Sequence, residues 1–156
     1  LIPDTYINSV TERLMIYQDL DNSKSEQALE VFESNLQDRF GPLPEVVKEL
    51  IQSIRLRGQA KRTGFEKLII KSNKMIGYFV SKQDSPYYQS TTFTQVLNFI
   101  QTNPRGVKMN ERNDKLRLIF DEVGSISRAI ECLNSIGIAA QEPEISQDTL
   151  DNPQNQ

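Results

Sequence analysis

Hydrophobic spacing first changes character along this chain at Gly64. Before it, apolar residues recur three and four apart, as in Leu29, Phe32, Leu36 and Phe40; after it, the spacing turns to the alternation of short strands, beginning at Phe65. The first period suits one stripe of a helix and the second one face of a sheet, so the chain must join two kinds of layer.

Three helices are expected before the change. Asn8 or Ser9 caps the first, with Ser9-x-x-Glu12 as a capping box, Val10, Leu14 and Tyr17 as its inward stripe, and an end near Asp21. Ser23-x-x-Glu26 opens the second, which buries Leu29, Phe32, Leu36 and Phe40. A corner follows at Arg39-Phe40-Gly41-Pro42: Gly41 supplies the left-handed residue past the helix end, and Pro42 forbids continuation. Pro44 then sits in the first turn of a third helix, where proline is best tolerated. That helix runs to about Thr63 with Val47, Leu50, Ile51 and Ile54 inward, and Gly64 stops it.

Beyond Gly64, Phe65–Lys71 and Met75–Val80 read as strands joined across Ser72-Asn73-Lys74. Val107–Glu111 and Lys115–Phe120 form a second pair across Asn113-Asp114. Phe93, Val96, Leu97 and Ile100 mark a helix between the pairs, and Ser125 to Gly137 a last one. The expected fold class is α+β: an N-terminal three-helix segment followed by β-β-α-β-β-α, with a mainly antiparallel sheet covered by helices on one face. The domain covers 1–137, helical over 1–64 and α/β over 65–137; residues 138–156, rich in Gln, Asn, Asp, Glu and Pro, read as a disordered acidic tail.

Composition excludes most chemistry. The chain of 156 residues has no His and a single Cys132, which removes Ser-His-Asp and Cys-His catalysis, His-based zinc and multi-thiolate sites. No phosphate-cradling glycine loop occurs, so no catalytic, cofactor-binding or metal-binding residues are assigned. No apolar run is long enough to span a membrane and no signal sequence stands at the start, which suits a soluble, cytoplasmic protein. The first residue is Leu1, directly on structured sequence, as in a fragment of a longer protein.

Surface recognition remains. The net charge of −3 hides an asymmetry: residues 1–47 carry nine acids and three bases, and residues 48–82 nine bases and two acids. On the second helix, Val31, Asn35 and Asp38 share a flank away from the apolar stripe, which makes Val31 a candidate contact or an ordinary exposed apolar residue. On the third, Lys48, Arg55 and Arg62 repeat every seven residues, a stripe that can follow phosphates or simply be the wet side of an amphipathic helix.

"LIPDTYI" (Leu1 to Ile7), "ERLMIYQDL" (Glu12 to Leu20), "DRFGPLP" (Asp38 to Pro44) and "LRGQAKRTGFEKL" (Leu56 to Leu68) together resemble the C-terminal domain of the bacterial transcription-repair coupling factor family (TRCF, Mfd). The resemblance is dense to about Leu68; from Met75 to Gly137 only the order of elements is similar. It implies a parent that is an ATP- and magnesium-dependent DNA translocase, which displaces stalled RNA polymerase and recruits excision repair through UvrA. It further implies that this domain has no catalytic activity and no cofactor of its own. Its role would be autoinhibitory, packing on a UvrB-like N-terminal module of the same protein to mask UvrA binding and restrain the motor. Acidic residues leading into the Arg-Phe-Gly-Pro corner then face basic residues of the module; Asp38 matches that pattern, while Asn35 stands where the family pattern is acidic. The alternative from the residues alone is a nucleic-acid-binding module using the basic 48–82 segment.

Overall fold

The computed structural model describes residues 1–139, so the expected acidic tail falls, from 140 onward, outside the described residues. The helical part comprises α1 (Val10–Asp21), α2 (Glu26–Phe40) and α3 (Glu45–Thr63). The rest comprises β1 (Phe65–Lys71), β2 (Lys74–Phe79), a short 3-10 helix (Pro86–Gln89), α4 (Thr91–Thr102), β3 (Val107–Arg112), β4 (Lys115–Asp121) and α5 (Ile126–Ile136). All four strands among the described residues pair antiparallel in one sheet of order β1-β2-β4-β3, which makes the fold α+β as the sequence implies.

Two starts differ in detail from the sequence reading. Ser9 caps α1 by accepting the Glu12 amide, but the Glu12 carboxylate turns to Arg39 of α2, 3.8 Å away. The cap of α2 is Ser25, which accepts the Ala28 amide at 3.0 Å; the Ser23 hydroxyl instead donates to the Asp19 carbonyl and closes α1. Two serines within three residues offered the same chemistry, and the end of the preceding helix took the first.

The inward face of α1 is a larger correction. Val10 and Leu14 are 62% and 59% exposed and Tyr17 is half-buried, whereas Ile16 and Leu20 are buried. Apolar side chains lie nearly all around this helix, so spacing allowed more than one stripe. The N-terminal segment resolves it: Ile2 and Ile7 join the same core as Ile16 and Leu20, and the Ile2 amide donates to the Tyr17 hydroxyl.

The corner is firmer than a helix stop. Gly41 has φ 87° and ψ −167°, a region essentially reserved for glycine, rather than the left-handed helical conformation expected. The carbonyl of Gly41 accepts a hydrogen bond from Tyr6 at 2.8 Å, and the Tyr6 ring packs on Phe40. Pro44 precedes the first turn of α3 as its cap residue, where its missing N–H leaves nothing unpaired.

One helix serves both halves. Val47 and Ile51 of α3 belong to the core of the helical part with Leu29, Phe32 and Leu36. One to three turns later, Leu56 and Ala60 belong to the core of the sheet part with Met75, Leu118 and Phe120. Gly64 ends α3 at φ 109°, and a β-carbon there would lie 2.1 Å from the Tyr87 ring. Close approach as well as backbone conformation requires glycine at this joint.

The hairpins are set locally. Ser72 and Asn73, and likewise Asn113 and Asp114, all have φ between 54° and 62°, the primed turn that matches the twist of two-residue hairpins. Alternation then sends Met75 and Phe79 of β2 and Leu118 and Phe120 of β4 toward the helices.

Candidate interaction groove

The antiparallel neighbours α1 and α2 leave a groove of about 370 Å³ between them. Its floor is apolar, formed by Ile16, Phe32 and Leu36. Val31, Asn35 and Asp38 stand along its wall, so the three residues chosen from helical spacing do share one surface. They do so because positions four and three apart on α2 lie on one flank, beside the buried stripe of Leu29, Phe32 and Leu36. Val31 is 56% exposed, an apolar side chain at the rim of an apolar floor.

The groove is acidic. Asp19 of α1 and Asp38 of α2 both line it, are exposed, and make no ion pair among the described residues. Arg39 is the one cation lining it, and Arg39 is held by Glu12 across the helix pair and lies over the Phe40 ring, 4.7 Å from its centre. The arrangement suits a partner that offers a cation beside an apolar group. Sequence reasoning missed Asp19 and Ile16, because it turned α1 the wrong way; the signal that points to them is the Ile16–Leu20 repeat at four residues.

The basic stripe on α3 fares differently. Arg55 donates through Nε to both Glu26 carboxylate oxygens at 2.9 and 2.7 Å, joining α3 to α2. That hydrogen bond holds the guanidinium above its ordinary pKa, against partial burial, with Glu33 and Glu30 adding to it. Lys48 pairs with Glu45 at 3.1 Å on its own helix. Arg62 makes no ion pair among the described residues. Two of the three cations are therefore occupied within the domain. Among the described residues there is no group of three or more His, Cys, Asp or Glu able to hold a metal ion, and no helix long and apolar enough to cross a membrane.

The family described as TRCF domain matches residues 1–90, more than half of the chain. The chain belongs to the TRCF domain family. The groove, the corner and the joint at Gly64 all lie inside the matched segment. Curated relatives agree. The chain is 41% identical over 68 residues to the transcription-repair-coupling factor of Escherichia coli (strain K12), covering 44% of this chain and 6% of that protein. It is 33% identical over 120 residues to that of Buchnera aphidicola subsp. Acyrthosiphon pisum (strain APS), covering 77% of this chain and 14% of the other. This TRCF domain thus spans only a small part of the length of these relatives. Its fold is that of a crystal structure of the C-terminal domain of transcription-repair coupling factor, with TM-score 0.66 and 20% identity over 86% of this chain and 82% of the other.

Proposed function

We propose that this TRCF domain is a non-catalytic, autoinhibitory interaction domain of a transcription-repair coupling factor. It packs through the α1–α2 groove on a UvrB-like N-terminal module of the same protein, masks UvrA binding and restrains an ATP-driven DNA translocase that acts on stalled RNA polymerase. ATP and magnesium belong to the motor. The observation that carries this reading is the groove itself, where the uncompensated Asp19 and Asp38 flank exposed Val31 over an apolar floor.

The energetics support a lock made of several contacts. Exposed ion pairs yield about 0.2–1 kcal/mol each, so Asp38 alone holds nothing shut and the apolar contribution of Val31 is needed. Tethering compensates: at an effective concentration of order millimolar, a contact with Kd near 1 μM keeps the closed state favoured about 10³-fold.

The test is UvrA binding by the full-length parent with Val31→Glu and Asp38→Lys together. Both positions lie off the buried stripe, so the domain stays folded while UvrA affinity and basal ATP hydrolysis rise. A loss of about 2 kcal/mol of closing energy raises the open fraction roughly thirtyfold. Unchanged affinity in a folded variant places the inhibitory contact elsewhere. The pairing of Arg55 with Glu26 and of Lys48 with Glu45 weighs against the nucleic-acid reading of the α3 stripe.

A further inference from the structure

The sheet has a second face, which no described helix covers. Register places Ile69, Ile76 and Ile119 side by side across β1, β2 and β4, on the side opposite Met75 and Phe120. All three are only half-buried, and none belongs to either apolar core. One step along the strands in one direction lies the row Lys67, Tyr78, Arg117 and Asn110, and one step in the other lies Lys71, Lys74 and Asp121. Lys108, beside Ile119, extends the middle row with another cation, and Arg112 and Lys115 pair just beyond Arg117. Asp121 is the one carboxylate in these rows, and Lys74 pairs with it at 3.6 Å.

Arg117 is the unusual member. It is 7% exposed, its Nε donates to Asn110 at 3.0 Å, and it makes no ion pair among the described residues. Most of the side chain is covered, yet its terminal nitrogens are not among the buried unpaired atoms and make no hydrogen bond to the described residues, which leaves them open to an anion arriving from outside. At about 3.3 Å per residue, the two flanking rows stand about 13 Å apart with the isoleucines midway. A helix about 10–12 Å wide fits that spacing, with its apolar stripe on the isoleucines and carboxylates reaching both cationic rows.

We propose that this open face docks an acidic amphipathic helix of a partner protein, separately from the α1–α2 groove. Single-stranded nucleic acid is the weaker fit. Stacking platforms use several aromatic rings, and here the middle row is aliphatic while the single ring, Tyr78, already lies under the Lys67 ammonium, 5.5 Å from its centre.

The experiment titrates the 156-residue chain with a labelled amphipathic peptide of about four helical turns, leucines on one face flanked by glutamates. Peptides with the glutamates changed to lysine, and an oligothymidylate of about 15 nucleotides, serve as comparison probes. The acidic peptide binds and shifts the amide resonances of Ile69, Ile76 and Ile119. Lys67→Glu with Lys71→Glu weakens it at least about tenfold, as does Ile76→Thr, while the melting curve is retained; these side chains lie outside both cores. Absence of binding by the folded chain overturns the proposal, as do shifts confined to α1 and α2. Tighter binding of the oligonucleotide, with a steep salt dependence, replaces the helix by nucleic acid. If removing residues 140–156 itself shifts the same amides and raises peptide affinity, the occupant is this chain's own acidic tail rather than a partner.

Discussion

In the helical half, Val10, Leu14 and Val31 stand in solvent while Ile16, Leu20 and Leu36 of the same helices are buried. In the sheet half, Met75 and Phe79 of β2 and Leu118 and Phe120 of β4 are at most 2% exposed, and the outward isoleucines are half-buried. The difference follows from geometry. A strand has two faces, and pairing with its neighbours fixes which is inner; a helix can rotate about its axis, and only its neighbours decide which stripe is buried. The helical half therefore keeps apolar surface at a groove wall where a partner can use it. The sheet half closes its core on the inner face and keeps on the outer face a half-buried isoleucine row between two rows that carry charge.

The largest test of this contrast is truncation in each core. Phe120→Ala should cost about 3–5 kcal/mol and Leu20→Ala about 2–5 kcal/mol in denaturant melts. Because α3 contributes Val47 and Ile51 to one core and Leu56 and Ala60 to the other, each variant should still melt in one transition. Two separate transitions for Leu20→Ala break the idea that α3 couples the halves.

A glycine pair sharpens the comparison next. Gly64→Ala meets the Tyr87 ring as well as the wrong backbone conformation, whereas at Gly41 nothing lies within 4 Å of an added β-carbon. Gly41→Ala should cost about 1–3 kcal/mol through backbone strain alone, and Gly64→Ala more. Equal losses mean that Tyr87 moves aside freely. Gly41→Val, being β-branched, should exceed Gly41→Ala; an unchanged melting curve for it removes the corner from the folding argument.

A smaller effect is expected in alkali. Burial raises the Tyr87 phenol above its ordinary value, with Tyr88 adding to it, and the Tyr87 hydroxyl donates to the Thr63 carbonyl at the joint between the halves. Burial also raises Tyr88, with Glu66 contributing. The unfolded chain thus loses these protons first, so their contribution is complete below a pH of about 10 and declines as pH rises above it. Tyr87→Phe should flatten that decline in melts between neutral and strongly alkaline pH; an unaltered slope assigns the loss to other groups.

The smallest effect belongs to the groove wall. Asp38→Asn and Val31→Thr should each change stability by no more than about 1 kcal/mol, since both positions are exposed and off the cores; Asp38 lies in the last turn of α2, where removing a negative charge is mildly stabilising. A loss several times larger in the isolated chain turns the groove wall into a structural element and removes the basis for reading it as a contact.

Many residues acting within a turn of themselves were legible without coordinates, although the α2 cap fell to Ser25 rather than Ser23 and Gly41 is not in the left-handed helical conformation. Ser9 and Ser125 accept the amides that open their helices, Gly64 and Gly137 close theirs in the left-handed conformation, and Ser72-Asn73 and Asn113-Asp114 make their hairpins. Of the groove, Val31, Asn35 and Asp38 were legible because a single helix places them. Asp19 and Ile16 were not, since they enter through the rotation of α1. The pairing of β2 with β4, which joins two hairpins some 40 residues apart and places Arg117 on the uncovered face, also waited for tertiary structure. Local hydrogen-bonding and backbone preferences are carried by a few adjacent residues and so can be written into sequence. The choice among helix faces and strand partners is a competition between distant apolar surfaces, and only the assembled core decides which one is removed from water.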